Sequence, residues 1–156
     1  NRGFVLGVQA VNPSAKIQVT HIGSFGDTVK SGEAAMAFIQ GGADVLTGSS
    51  QQALGALRAV ADFPNEDIWW VGQDIAQIDI EEGYKCIAAS AYNYKAGGEC
   101  LPMNFNNGGF IWAWNEAKCA DKITPEIKKA VEDKIAEFQA TPDILANWSE
   151  VDYSKL

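Results

Sequence analysis

The hydrophobic positions of this chain switch repeatedly between the spacing of a helix and the alternation of a strand. Helical spacing predicts a first helix over Phe4–Val11, with Phe4, Val8 and Val11 on its buried face. It predicts three later helices, each with a recognisable start or stop signal. These signals are Asp27 as an N-cap, Gly41-Gly42 as a left-handed cap, Ser49 with Gln52 as a capping box, and Thr124-Pro125 as an N-cap followed by proline.

Four short stretches rich in β-branched and aromatic residues predict strands. We expect one mainly parallel sheet flanked by helices, because strands and helices alternate along the chain. The predicted fold class is therefore α/β, a three-layer Rossmann-like lobe. The predicted strands are Lys16–Ile22, Ala43–Thr47, Ile68–Gly72 and Lys85–Ala91.

Length and charge narrow the class of protein. A chain of 156 residues is the size of one domain, and we predict a single α/β lobe over residues 1–156. The net charge of −8 disfavours a nucleic-acid partner, which needs a surplus of Lys and Arg. No apolar run reaches the roughly 20 residues of a membrane-spanning helix. Because the pattern opens with a helix and the chain begins Asn1-Arg2-Gly3, we expect a truncated lobe whose first strand is missing.

The redox state of the three cysteines and the glycosylation of one asparagine triplet depend on the compartment in which the protein works. Cys86, Cys100 and Cys119 allow one disulfide and one free thiol outside the cell, or three reduced thiols in a cytosol. Their spacing and the single histidine disfavour a zinc site, and no cofactor is expected. Asn147-Trp148-Ser149 fits the N-glycosylation pattern, which is used only in a secreted eukaryotic protein.

Three predicted strands end in short polar loops, and ligands of open α/β sheets bind beyond the carboxyl ends of strands. In the first loop, Phe25 offers an aromatic face to a flat ligand, while Asp27 is explained by its capping role. In the second, Gly48 and Ser49 place small groups at a helix start, although capping alone explains Ser49. In the third, Asp74 can accept hydrogen bonds from a sugar diol or a base, or can simply begin a turn.

The rest of the chemistry indicates binding and not catalysis. Tyr92 and Asn93 follow the next strand and can line the same cleft. The only histidine, His21, falls inside a predicted strand, and the common nucleophile and metalloprotease motifs are absent. We therefore predict a binding protein and not an enzyme.

A set of ordered stretches between residues 3 and 95 carries a family resemblance. Together they resemble the C-terminal lobe of the basic membrane protein (BMP) family, secreted or lipid-anchored proteins with the type 1 periplasmic-binding-protein fold. That resemblance implies an extracellular or periplasmic protein that captures a nucleoside or purine base for uptake by an ABC transporter. The stretches are Gly3–Gly7, Ala10–Pro13, Gly23-Ser24-Phe25 with Asp27, Glu33–Ala35, Gly42–Leu46 and Gly72-Gln73-Asp74.

The resemblance also implies roles for single residues. Asp74 matches the carboxylate that the family uses on its ligand, and Phe25 matches an aromatic residue near the base. Gly48 and Ser49 match a loop that closes against the ligand, and Tyr92-Asn93-Tyr94 is similar to a Trp-Asn-Trp stretch in one branch.

The same resemblance implies an extracellular location, and that location affects the redox state expected for the cysteines. Two of the three would then be bridged. We favour Cys100 with Cys119 over Cys86 with Cys100, because a Gly108-Gly109 pair lies between the first two.

The chain departs from the family pattern in two loops and in its tail. Ala76 stands where the family has a second aspartate, and Ser49–Gln52 replaces a glycine-rich stretch. Residues 98–156 fit loosely and are predicted to form a C-terminal extension. The family clamps its ligand between two lobes, so the missing first lobe or another chain would have to complete the cleft. A structural or interaction module of an extracellular assembly is the alternative.

Overall fold

The computed structural model of the chain describes residues 2–92 and 108–141. Within them, two helices come first, strands and helices then alternate as far as Tyr92, and a last strand and two helices follow. A 3₁₀ helix over Glu81–Lys85 precedes the third strand. The helices are α1 (Arg2–Val11), α2 (Thr28–Gln40), α3 (Ala53–Ala61), α4 (Ala76–Asp79), α5 (Glu116–Cys119) and α6 (Pro125–Ala140), and the strands are β1 (Val45–Thr47), β2 (Trp69–Gly72), β3 (Cys86–Tyr92) and β4 (Phe110–Trp114).

The four strands of the described chain form one sheet in the order β1-β2-β3-β4. β1, β2 and β3 run parallel, with Val45 opposite Trp69 and Trp70 opposite Cys86, whereas β4 runs antiparallel to β3. The predicted α/β class with a mainly parallel sheet flanked by helices is therefore confirmed. β4 was not predicted, although Gly108-Gly109 before a run of aromatic and branched residues is a strand signal.

The predicted strand at Lys16–Ile22 is wrong, because these residues form neither strand nor helix. Burial does alternate along residues 15–20, as the hydrophobic pattern predicts. In the described chain, however, β1 pairs only with β2, and this stretch stays outside the sheet. Alternating hydrophobicity indicates which side chains are covered, whereas a strand also needs a partner backbone. The other three predicted strands form within two residues of their predicted ends.

The predicted caps of α2 and α6 are confirmed. The Asp27 side chain accepts a hydrogen bond from the Lys30 N–H at 3.0 Å, which caps the first turn of α2. At the other end, Gly42 has φ +90°, and its N–H and the next one donate to carbonyls of the last helical turn. The Thr124 hydroxyl accepts from the Ile127 N–H at 3.3 Å at the start of α6.

The predicted capping box of Ser49 and Gln52 is wrong. α3 begins at Ala53, and Gln52, in the N-cap position, has helical dihedral angles and makes no side-chain cap. The Ala53 N–H donates to the Ser50 carbonyl at 3.1 Å, and the Gln52 N–H donates to the Phe25 carbonyl at 3.0 Å. Because a turn and a neighbouring loop already satisfy these N–H groups, a capping side chain is not needed.

The hydrophobic core lies on the face of the sheet that α2 and α3 cover, which we call the closed face. Leu46 and Trp70 of the strands pack there with the buried Leu57 of α3. The two helices are in direct contact at Gly55, where an added Cβ would lie 1.9 Å from the Thr28 carbonyl oxygen. Only glycine permits this backbone approach.

The opposite face, which we call the open face, is covered less completely. Side chains alternate along a strand, so Val45 and Val71 point away from the layer of α2 and α3. The register of β2, β3 and β4 places Phe110, Trp112 and Trp114 on the same side. None of these five side chains is fully buried. α6 lies beside β4 across a groove of about 400 Å³ and contributes no buried residue.

The predicted buried face of α1 is only partly correct. Phe4 and Val8 are half-buried, but Val11 is 83% exposed, and Val5 is the residue that is fully buried. Val11 is the last residue of the helix. A helical period identifies a face, but it does not show how far along the helix that face is covered.

At the amino end of β2, charged side chains surround Trp69. Lys85 Nζ and Lys122 Nζ lie 4.9 and 5.1 Å from its ring centroid. The Trp69 indole N–H and Lys122 Nζ both donate to Asp67 Oδ1, at 2.7 and 2.9 Å. The buried Lys85 donates to the Glu66 carbonyl at 2.7 Å, and burial lowers the pKa of its ammonium group.

Candidate functional site

The carboxyl ends of the three parallel strands lie at one edge of the sheet, where ligands of open α/β folds bind. β1 ends at Thr47, β2 at Gly72 and β3 at Tyr92. The loop Gly48–Gln52 follows β1, and Asp74 lies two residues after β2. The topology therefore brings these candidate residues, which are distant in sequence, to one edge.

Phe25 lies in a loop beside this edge. A strand was predicted to precede that loop, but no strand forms there. Its side chain is 82% exposed. The Ser24 hydroxyl accepts the N–H groups of Gly26 and Asp27, each at 3.2 Å, which holds the loop. The Phe25 carbonyl accepts the Gln52 N–H at 3.0 Å and so joins this loop to the loop after β1. An exposed ring is thus carried on a hydrogen-bonded backbone beside the edge.

The loop after β1 has two unusual features. Gly48 and Ser49 are half-buried, and Ser50 has φ +68°, a left-handed conformation uncommon outside glycine. The Gln52 Oε1 atom is buried, and no residue of the described chain donates a hydrogen bond to it. Left-handed backbone and unpaired polar atoms both concentrate at functional sites, so the loop is a good candidate for ligand contact.

Asp74 is exposed, and the turn that follows it fixes its orientation. Its Oδ1 atom accepts the Ala76 N–H at 3.0 Å, and its carbonyl accepts the Gln77 N–H at 3.0 Å. Asp74 therefore begins a turn, which is one of the two roles predicted for it. Its carboxylate nevertheless stays exposed at the edge, where a ligand could donate to Oδ2.

Tyr92 closes the row of candidate residues at the end of β3. Its side chain is 46% exposed, and its ring meets that of Phe110 edge to face, with centroids 5.0 Å apart. Phe110 belongs to β4, so the sequence did not identify it as a site residue. Asn93 lies outside the described residues.

A buried pair that the sequence did not identify lies beneath the edge. Trp70 and Gln77 are almost fully buried, and the Trp70 indole N–H donates to Gln77 Oε1 at 2.8 Å. The hydrophobic pattern places Trp70 in a strand, but it does not show which polar group its indole meets.

The two described cysteines are buried free thiols. Cys119 Sγ donates weakly to the carbonyls of Tyr84 and Cys86, at 3.3 and 3.6 Å. Burial raises the pKa of both thiols, that of Cys86 to about 11, so both are protonated near neutral pH. Cys100 and the glycosylation acceptor Asn147 lie outside the described residues, and the Cys100–Cys119 pairing stays a prediction.

The edge offers stacking and hydrogen bonding. Within residues 2–92 and 108–141, no three His, Cys, Asp or Glu side chains are grouped so that they could hold a metal ion. In the same part of the chain, every helix is too short or too polar to cross a membrane. The groups that the sheet edge offers to a ligand are an exposed aromatic ring, an oriented carboxylate, a loop of small residues and a partly exposed tyrosine.

Comparison with known proteins places the chain in a family. The sequence model of the Bmp family, described as ABC transporter substrate-binding protein PnrA-like, matches residues 1–96. The match includes the loops of Phe25, Gly48 and Asp74. No curated protein matches the chain.

Proposed function

Because the chain belongs to the Bmp family of PnrA-like ABC transporter substrate-binding proteins, we propose that it captures a nucleoside or nucleobase for uptake. Membership of the family implies a substrate-binding role, a small-molecule ligand and association with an ABC transporter. Proteins of this family are binding proteins and work in the periplasm or outside the cell. The proposed location is therefore extracellular or periplasmic.

The observation that carries the proposal is the combination of an exposed ring and an oriented carboxylate at one sheet edge. The Phe25 ring is large, flat and open to solvent. A base stacked on such a ring gains about 1–3 kcal/mol, and any of the common bases can stack. The Asp74 carboxylate would accept charge-assisted hydrogen bonds from ribose hydroxyls or from N–H groups of the base.

The remaining candidate residues would complete the wall around the ligand. Gly48 and Ser49 lie in the loop whose backbone is tied to that of Phe25 through Gln52. Tyr92 and Asn93 are proposed to line the far end of the edge. One lobe cannot enclose a small ligand, so a first lobe or another chain would supply the opposite wall and exclude water.

Replacement of Asp74 tests the proposal directly. In a two-lobed protein that joins a Bmp-family first lobe to this chain, Asp74→Ala should weaken nucleoside binding by about 2–3 kcal/mol, because ligand donors would be left buried and unpaired. Asp74→Asn should weaken binding by a similar amount, because the amide oxygen stays on the Ala76 N–H and the NH2 group, which only donates, replaces the Oδ2 acceptor. Calorimetry with adenosine, guanosine and free adenine measures these affinities.

Asp79→Ala is the matched control, because it removes one exposed acidic group of α4 and changes the net charge equally. Its affinity should equal that of the unaltered protein. Equal affinity with and without the Asp74 carboxylate would refute its role. Failure of every nucleoside and base to bind the two-lobed protein would instead favour the structural or interaction module.

A further inference from the structure

Trp70 contacts the loop that follows β1 and Gln77 of α4, the short helix that begins two residues after Asp74. The tip of its ring, Cη2, would lie 3.1 Å from a Cβ placed on Gly48, so the loop after β1 rests on the indole. The indole nitrogen of the same ring donates to Gln77 Oε1 at 2.8 Å. Both side chains are shielded from water, with 0% of Trp70 and 6% of Gln77 exposed. A single buried ring therefore connects the loop after β1 with the helix that follows Asp74.

Gln77 extends this connection to Asp74. Its side chain accepts from Trp70, while its backbone N–H donates to the Asp74 carbonyl at 3.0 Å. The next amide back, that of Ala76, holds Asp74 Oδ1. The position of the carboxylate is thus linked through one residue to the buried indole.

The space around the pair leaves little freedom for another arrangement. A Cβ on Gly72 would lie 2.8 Å from Gln77 Oε1 and 2.9 Å from the Cβ of Ala89. The amide oxygen therefore lies close against the end of β2 as well as against the indole. An indole N–H only donates, so the orientation of the Gln77 amide is set by this bond.

We propose that Trp70 and Gln77 are positioning residues of the ligand site, which hold the Gly48 loop and the Asp74 carboxylate at a fixed separation. They touch no ligand themselves and act through the two loops. This inference rests on the proposed function for its effect on affinity, but the loop positions can be measured without any ligand. A site that is formed before the ligand arrives loses less ordering entropy on binding.

Gln77→Met tests the proposal because it keeps the length of the side chain and removes the acceptor. Affinity of the two-lobed protein for the best-binding nucleoside should fall on the order of tenfold. Trp70→Phe, which removes the donor and the ring tip under Gly48, should act in the same direction. Tyr84→Phe is the control, because it removes a partly buried hydrogen bond of 2.6 Å to the Ala61 carbonyl at the opposite edge of the sheet.

Local hydrogen exchange gives a readout that a purely structural role would not move. In Gln77→Met, the amides of Ala76 and Gln77 should exchange faster, while that of Trp69, bonded to the Asp44 carbonyl at the amino edge, should not. The indole N–H resonance of Trp70 should also shift upfield as its hydrogen bond is lost. In Tyr84→Phe, the exchange of these three amides, the indole resonance and the affinity should stay unchanged.

Two results would overturn the proposal. One is equal loss of affinity in Gln77→Met and Tyr84→Phe, which would make the pair an ordinary stabilising contact. The other is unchanged exchange at Ala76 and Gln77 in the variant. If the unaltered protein binds no nucleoside, the proposed function fails, but the exchange measurement still decides whether the pair positions the loops.

Discussion

The two faces of the sheet are built from different residues and are covered to different degrees. On the closed face, small residues of α2 and α3 let the two helices approach until Gly55 meets the backbone of Thr28. Leu57 and Trp70 are fully buried there. On the open face, large aromatic residues of β4 stay half-buried, and α6 lies beside them without a single buried residue.

This difference indicates that the size of a side chain does not by itself determine how much it stabilises the fold. Phe110, Trp112 and Trp114 carry more apolar surface than the alanines of the closed face, but water still reaches them. Stabilisation follows the area removed from water and not the size of the residue. We therefore expect the free energy of unfolding to depend chiefly on the closed face.

The sheet edge that carries the candidate ligand-binding residues includes side chains from both faces of the sheet. Trp70, which supports the Gly48 loop, belongs to the closed face, whereas Tyr92 and its ring contact with Phe110 belong to the open one. A rigid support under Asp74 thus adjoins a more accessible aromatic pair at the far end. This arrangement suits a site that holds one part of a ligand firmly and accommodates another.

The largest expected effect is at the contact of α2 and α3. Gly55→Ala would place a methyl group 1.9 Å from the Thr28 carbonyl oxygen, which is backbone and cannot move aside. We expect a loss of more than about 3 kcal/mol in the free energy of unfolding, measured by urea denaturation. Gly7→Ala is the control, because within residues 2–92 and 108–141 no atom outside its chain neighbours and its own helix backbone lies within 4 Å of the added Cβ. Because Gly7 lies in a helix interior, Gly7→Ala should stabilise the protein by about 0.5–1 kcal/mol. Similar effects of the two substitutions would contradict the close packing of α2 and α3 at Gly55.

A direct comparison of the faces uses one truncation on each. Leu57→Ala, on the closed face, should cost about 2–5 kcal/mol, because it leaves a cavity among buried neighbours. Ile135→Ala, on the side of α6 that lines the groove beside β4, should cost about 1 kcal/mol or less. Thermal unfolding followed by circular dichroism measures both. A larger loss at Ile135 would show that α6 is packed more firmly than its partial burial indicates.

A smaller effect on the free energy of unfolding is expected from the titration of Cys86, a buried residue of the closed face. Burial raises the pKa of Cys86 to about 11, from an ordinary value of 9.0. Between these values the unfolded chain loses the thiol proton while the folded chain keeps it, so stability falls as pH rises. Burial lowers the pKa of Lys85, which acts in the opposite direction. The contribution of Cys86 must therefore be isolated by comparison with a variant.

Cys86→Ala provides that comparison under reducing conditions. The difference in unfolding free energy between the unaltered protein and this variant should shrink by on the order of 2 kcal/mol from pH 8.5 to pH 11. Val60→Ala, a truncation in the same core that adds or removes no titrating group, should keep a constant difference. A constant difference for Cys86→Ala as well would mean that its thiol titrates normally in the folded protein.

Features that depend on a few neighbouring residues could be predicted from the amino-acid sequence alone. Asp27, Gly42 and Thr124 act as predicted because a cap involves only the backbone within about one helical turn. Three strands were placed correctly because each is a short apolar run between clear stop signals. The order of these elements was enough to predict a parallel sheet, and with it the edge that collects Gly48, Ser49 and Asp74.

Contacts between backbones and side chains of different elements became visible in the folded chain and could not be predicted from local patterns. The stretch Lys16–Ile22 has the pattern of a strand but is left out of the sheet, while β4 joins it in the antiparallel direction. Gln52 is tied to Phe25 instead of forming a capping box, and Trp70 finds its partner in Gln77. Each of these outcomes depends on a partner in another element or loop, since a hydrogen bond or a buried contact is formed by two groups and a local pattern describes only one of them.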